Sequence, residues 1–134
     1  MKKTGAYHLA ISVTDGKTSK IFYDKLFQQL NWKKVDEGEE YAGYSDGNFT
    51  LWIVPAENKK SPEHYFKSVG FHHFSIRVEK RAEVDAIFKW CRNNSVTVVD
   101  EPKEYPDYNE GYYAVFFLDP DGMKFEVTYL SAEN

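Results

Sequence analysis

Two stretches of the chain, 65 residues apart, each begin with a histidine and then alternate between apolar and polar residues. The first, HLAISV, starts at His8, and the second, HFSIRV, starts at His73. Alternation with a period of two is typical of a β-strand that has one buried face. A histidine therefore falls at the same position of two similar strands, on the face opposite the apolar residues. This repetition predicts a fold that is built from two related halves.

The segments that follow the two histidine strands also occur in the same order. After the first strand, Phe22, Leu26 and Leu30 are four residues apart, which predicts an amphipathic helix. After the second strand, RAEVDAIFKWCRNN has the same helical character. Strand-like segments separated by turn residues follow each helix. Each half therefore has the order strand, helix and three strands.

This order predicts an α+β fold in which helices cover one face of the sheets. We expect one domain over residues 1–134, made of two βαβββ modules at about 5–54 and 71–130. The linker at 55–70 is rich in Pro, Lys, Ser and Glu. Because polar residues occupy the strand face away from the helices, we expect a cup-shaped, curved mixed β-sheet with helices on its outer face.

Composition and charge exclude several classes of protein. The formal net charge is −4 and the basic residues are scattered, whereas a nucleic-acid partner requires a basic stripe. No apolar run is long enough for a membrane span or a signal peptide, so we expect a cytoplasmic protein without a membrane partner. Cys91, the single cysteine, cannot form an intramolecular disulfide, and its helical spacing favours a buried, inert thiol.

The last predicted strand adds a carboxylate to the two histidines. In MKFEVTYL, the apolar residues alternate with Lys124, Glu126 and Thr128. A buried glutamate requires a partner, which could be a divalent metal, a neighbouring cation such as Lys124 or Arg77, or water. Two imidazoles and one carboxylate form the facial ligand set that leaves open positions on a metal such as iron(II).

The stretches HLAISV, HFSIRV and DPDGMKFEV, within two βαβββ modules, resemble the vicinal oxygen chelate superfamily. This superfamily contains glyoxalase I, extradiol dioxygenases, fosfomycin-resistance transferases and bleomycin-resistance proteins, and the chain is most similar to its small bacterial glyoxalase-like members. The resemblance implies metal-ligand positions in the first and last strands of each module, here His8, Leu51, His73 and Glu126. It also implies a divalent metal (Fe, Mn, Ni or Zn) and a homodimer, with the site within one chain or shared between two.

Leu51 departs from the pattern of glyoxalase I. Glu126 lies four residues after the turn glycine Gly122, and the same count from Gly47 gives Leu51. Glyoxalase I has a second glutamate at this position and uses it as a base, whereas leucine can neither bind a metal nor move a proton. We therefore do not expect lactoylglutathione lyase activity. The remaining His-His-Glu set resembles that of extradiol dioxygenases and fosfomycin-resistance transferases.

Other residues are candidates for catalysis or substrate binding, although no motif fixes their positions. The catalytic candidates are tyrosines and histidines: Tyr105, Tyr112, Tyr113, His64 and His72. The substrate-binding candidates are an apolar wall and two cations on the polar face: Phe49, Leu51, Arg77 and Lys124.

Two functions remain open. The favoured one is a metal-dependent enzyme, dioxygenase-like or lyase-like, that acts on a small oxygen-bearing molecule through His8, His73 and Glu126. The alternative is a binding protein of the bleomycin-resistance type, which would sequester an antibiotic or other small molecule without metal or catalysis. A metal lost on substitution of His73 would separate the two.

Overall fold

The structure is a computed structural model that describes residues 4–58 and 65–131. The chain divides into two compact units, Met1–Pro62 and Glu63–Asn134. Each unit contains one helix and a four-stranded mixed sheet, in the order β-α-β-β-β. The predicted α+β class and the repeated element order are therefore confirmed.

The first unit contains β1 (His8–Val13), α1 (Gly16–Gln29), β2 (Lys33–Glu37), β3 (Ala42–Ser45) and β4 (Thr50–Pro55). Its strands are arranged β1-β4-β3-β2, and only the β1–β4 pair is parallel. The core between the helix and the sheet is formed by fully buried aromatic and aliphatic side chains, namely Tyr23, Leu26, Phe27, Tyr44, Leu51 and Ile53. The carboxylate of Asp15 caps α1 by accepting hydrogen bonds from the backbone N–H groups of Lys17 and Thr18.

The second unit repeats this arrangement with β5 (Phe74–Val78), α2 (Arg81–Asn93), β6 (Val98–Glu104), β7 (Tyr113–Leu118) and β8 (Lys124–Tyr129). Its strands are arranged β5-β8-β7-β6, and again only the first pair is parallel. Its core contains Val84, Ile87, Cys91, Phe117, Phe125 and Val127. Burial raises the pKa of the Cys91 thiol to about 12, as expected for an inert cysteine.

The alternation seen in the sequence corresponds to two different sheet faces. Ile11 and Val13 of β1, and Ile76 and Val78 of β5, are buried, whereas the polar residues between them are exposed. The face of each sheet that points away from the helix of its own unit is called the helix-distal face below. Both predicted histidine strands thus turn their polar residues to this face. Among the described residues, no helix has the length and apolar character needed to cross a membrane.

Candidate functional site

Glu126 lies in the middle of β8, on the helix-distal face of the second sheet, where it pairs with Ser75 of β5. It is 1% exposed. Its Oε1 is 3.0 Å from Nε2 of His73, and its Oε2 accepts a hydrogen bond of 2.5 Å from the hydroxyl of Tyr112. The cost of burying this carboxylate is therefore offset by an imidazole and a phenol.

His73 directly precedes β5 and links Glu126 to a second histidine. Its Nδ1 is 2.7 Å from Nδ1 of His72, and its ring packs edge-on against Phe116. With Nε2–H of His73 donating to the Glu126 carboxylate, Nδ1 of His73 is the acceptor for Nδ1–H of His72. Partial desolvation lowers the pKa of His72, and electrostatic interactions with His73, Lys124 and Lys67 lower it further.

Two of the candidate tyrosines lie close to this chain of hydrogen bonds. Burial, together with the hydrogen bond to Glu126, raises the pKa of Tyr112 to about 12, so its hydroxyl remains a proton donor at neutral pH. Tyr105 contacts the rings of Tyr112 and Phe116, and burial raises its pKa to about 12 as well.

Tyr113 lies on the other side of the sheet. Its hydroxyl donates a hydrogen bond of 2.6 Å to Asp85 of α2, and the guanidinium of Arg81 lies 3.7 Å above its ring. Because neighbouring residues of an extended chain point to opposite faces, Tyr112 reaches Glu126 and Tyr113 does not. Of these two catalytic candidates, Tyr112 therefore lies beside Glu126 and Tyr113 lies away from it.

The two predicted cations of the helix-distal face have different surroundings. Lys124 is only 8% exposed, and its Nζ lies 4.2 Å from the ring centre of Phe66 and 4.6 Å from that of Phe116. Arg77, by contrast, is exposed and lines an open cavity of about 490 Å³ together with Tyr129. Of the two, Lys124 shares the ring of Phe116 with His73.

Leu51 and Phe49 do not lie on the helix-distal face, and this prediction is wrong. Leu51 pairs with Leu9 and is fully buried against the helix side, and Phe49 directly precedes β4 on the same side of the alternation. The reason is one extra residue between the turn glycine and the strand. Gly47 is three residues before the start of β4, whereas Gly122 is two residues before the start of β8.

Trp52 consequently occupies the position in the first unit that Glu126 occupies in the second. Trp52 pairs with Ala10, two residues after His8, just as Glu126 pairs with Ser75, two residues after His73. Its ring covers Gly43, where an added Cβ would come within 2.5 Å of the indole. An indole in place of a carboxylate still leaves no ligand or base at this position. The register of the strand pairing, rather than the count from the turn glycine, shows which residue of the first unit corresponds to Glu126.

His8 is the first residue of β1, on the helix-distal face of the first sheet, and its exposed ring contacts that of Tyr7. His8 pairs with Thr50, and the residue two positions after His8 pairs with Trp52. In the same way, the residue two positions after His73 pairs with Glu126. His64, a candidate proton carrier, lies outside the described residues.

The donor atoms of the second unit suit a divalent metal, although two ligands do not complete a site. Two ligand atoms at about 2.1 Å from one ion are about 3.0 Å apart in octahedral coordination and about 3.4 Å apart in tetrahedral coordination. Nε2 of His73 and Oε1 of Glu126 are 3.0 Å apart, which is a hydrogen-bond distance and also matches the octahedral spacing. Within residues 4–58 and 65–131, no group of three or more His, Cys, Asp or Glu side chains is arranged to hold a metal. A further ligand is therefore required.

Comparisons with known proteins identify the family and the fold of this chain. A family model described as Glyoxalase/Bleomycin resistance protein/Dioxygenase superfamily matches residues 5–127. The uncharacterized protein YqjT of Bacillus subtilis is 25% identical over 90% of this chain and 95% of its own length. Metallothiol transferase FosB of Staphylococcus saprophyticus is 26% identical over 90% of this chain and 73% of its own. A glyoxalase-like crystal structure from Bacillus halodurans shares the fold with a TM-score of 0.80, at 23% identity over 93% of this chain and 95% of that one.

Proposed function

Because the chain belongs to the Glyoxalase/Bleomycin resistance protein/Dioxygenase superfamily, we propose that it is a divalent-metal-dependent enzyme that acts on a small oxygen-bearing molecule. The observation that carries this proposal is the His73–Glu126 pair, whose donor atoms are 3.0 Å apart on the helix-distal face of the second sheet. His8 is the proposed third ligand, because it has the register of His73 in the first unit.

Each residue of the pair has a neighbouring side chain that would orient it for metal binding. Tyr112 holds Oε2 of Glu126 and leaves Oε1 for the ion. His72 contacts Nδ1 of His73. With a metal on Nε2, Nδ1 of His73 would carry the ring proton and donate it to His72, and such outer contacts fix the tautomer and ring orientation of metal-bound histidines. When bound, the metal would act as a Lewis acid toward oxygen atoms of the substrate. Tyr112, protonated at neutral pH, is the proposed hydrogen-bond donor that orients Glu126, and Tyr105 forms part of the wall beside it.

Among the reactions of this superfamily, thiol addition has the best support. FosB, at 26% identity, is a metallothiol transferase by name. The first unit offers Trp52 where a lactoylglutathione lyase would require a second carboxylate, which argues against that reaction. We further propose a homodimer, in which His8 joins His73 and Glu126 either of the same chain or of a second copy.

Metal analysis of the untagged protein, purified without chelator, tests the proposal. We expect a stoichiometric divalent metal (Fe, Mn, Ni or Zn) that is lost in His8→Ala, His73→Ala and Glu126→Gln. His64→Ala, a histidine outside the proposed ligand set, is the matched control and should keep the metal. An unchanged metal content in His73→Ala, or no metal in the wild type, would contradict the proposal. That outcome would favour the alternative, a metal-free protein that binds and sequesters a small molecule such as an antibiotic.

A further inference from the structure

We propose that Arg81 and Asp85, two exposed residues of α2, are positioning residues for the candidate site. They hold the side chain of Tyr113 and so fix the direction in which its neighbour, Tyr112, extends toward Glu126. This inference deepens the proposed function and rests on it, because Glu126 is one of the proposed metal ligands.

Tyr113 is held by α2 through both its ring and its hydroxyl group. The hydroxyl donates a hydrogen bond of 2.6 Å to Oδ1 of Asp85, and the guanidinium of Arg81 lies 3.7 Å above the ring centre. The same guanidinium donates a hydrogen bond of 3.1 Å to Glu104, which is the residue of β6 that pairs with Tyr113. The face and the tip of this side chain are therefore both fixed by the helix.

The backbone carries this constraint to Tyr112 on the other side of the sheet. Tyr113 is the first residue of β7, and successive side chains of an extended chain point to opposite faces. Tyr112 is preceded by Gly111, whose φ of +77° is a conformation that glycine adopts readily. The chain before Tyr112 is thus a turn, whereas the residue after it is anchored to α2.

The contact that depends on this constraint tolerates little movement. The hydroxyl of Tyr112 lies 2.5 Å from Oε2 of Glu126, and a displacement of about 1 Å would take the two oxygen atoms beyond hydrogen-bond distance. Glu126 is 1% exposed, so its oxygen atom would then lack a donor in a buried position. Two exposed contacts on the helix side of the sheet thereby determine the orientation of a buried carboxylate on the helix-distal face.

The test follows the Tyr112 hydroxyl directly, by NMR of metal-free protein that carries isotope-labelled tyrosine. The Cζ resonance of a tyrosine responds to the hydrogen bonding of its phenol. Tyr112→Phe assigns the resonance, and Glu126→Leu, which cannot accept a hydrogen bond, gives its position when the bond is lost. The variants to be compared with the wild type are Arg81→Met, Asp85→Ala and the double variant.

Two controls separate positioning from a general loosening of the fold. Arg92 is the matched control on the same helix, because its guanidinium also lies over a ring, 5.4 Å from the centre of that of Phe88. Tyr44 is an internal reference in every sample, because its hydroxyl donates a hydrogen bond of 2.8 Å to Asp24 within the first unit. Circular dichroism shows whether each variant is folded.

We expect the Tyr112 resonance of the double variant to shift toward its position in Glu126→Leu, and the resonance of each single variant to shift less. The Tyr112 resonance of Arg92→Met and the Tyr44 resonance of every variant should stay unchanged. If the double variant does not fold, the two single variants decide in the same way. A Tyr112 resonance that is unchanged in the folded variants, or that shifts no more than that of Tyr44, would overturn the inference.

Metal content separates this inference from the proposed function. If the wild type holds metal but the Tyr112 resonance ignores Arg81 and Asp85, the positioning role is refuted and the metal enzyme stands. If the resonance depends on these two residues but the wild type holds no metal, the two residues still position Tyr112 and the metal enzyme is refuted.

Discussion

Tyr112 and Tyr113 are neighbours whose hydroxyl groups bind carboxylates on opposite sides of one sheet, which makes them a matched pair for mutagenesis. Tyr112→Phe removes the 2.5 Å hydrogen bond to Oε2 of Glu126, a residue that is 1% exposed, so water cannot readily replace the lost donor. Tyr113→Phe removes a bond of similar length, 2.6 Å, to Asp85, but this bond is exposed to solvent.

The two substitutions should therefore differ in their effect on stability. A hydrogen bond to a buried charged group contributes about 1.5–3 kcal/mol, whereas an exposed charged pair contributes about 0–1 kcal/mol. We expect the free energy of unfolding of the metal-free protein at pH 7 to fall by about 2–3 kcal/mol in Tyr112→Phe and by less than about 1 kcal/mol in Tyr113→Phe. Urea unfolding followed by circular dichroism measures both values, provided that the m-values agree.

A double-mutant cycle identifies the partner of the lost bond. Glu126→Gln combined with Tyr112→Phe should show a coupling energy of at least about 1 kcal/mol, since the two side chains are in direct contact. Equal losses in the two single tyrosine variants, or a coupling energy near zero, would refute the assignment of Tyr112 to the buried carboxylate.

Three further predictions follow from the fold and the site. Leu51→Glu places an unpaired charge in the core and should prevent folding, whereas Trp52→Glu places the charge on the helix-distal face and should remain folded. Circular dichroism shows whether each variant is folded, and two folded variants would contradict the register. Because burial in the folded protein raises the pKa of Cys91 to about 12, the stability that this thiol contributes below pH 9 should be lost as the pH rises from 9 toward 12. In urea unfolding, the free energy of unfolding should therefore fall less between pH 8 and 11 in Cys91→Ala than in the wild type, and an equal fall would contradict this. If two chains share the metal site, mixing unfolded His8→Ala and His73→Ala and refolding them together should restore metal to about a quarter of the sites, while a site within one chain should restore none.

The sequence was sufficient to predict the element order and the faces of the histidine strands, because strict alternation and helical spacing are local patterns. His73 and Glu126 were correctly assigned to one face for the same reason. Leu51 was misassigned because the two turns differ by one residue between the glycine and the strand, and in a strand one residue exchanges the two faces.

The sequence left the choice between Tyr112 and Tyr113 open for a similar reason. Whether Tyr112 or Tyr113 faces Glu126 depends on the residue at which β7 becomes paired, and both residues have the same local propensity. The position of Lys124 between Phe66 and Phe116 was also beyond the sequence, because Phe66 lies in the predicted linker and reaches β8 only in the folded chain.

Trp52, which lies against Gly43, is an intrinsic fluorescence probe of the first sheet. Of the three tryptophans in the chain, Trp90 is packed in the core beside Phe117, and Trp32 packs against Phe27. Trp52 alone pairs with β1, the strand that carries His8 and whose helix-distal residues are exposed. Its fluorescence emission should therefore shift when a molecule binds to that sheet, so no added dye is needed. Trp52→Phe should abolish this shift.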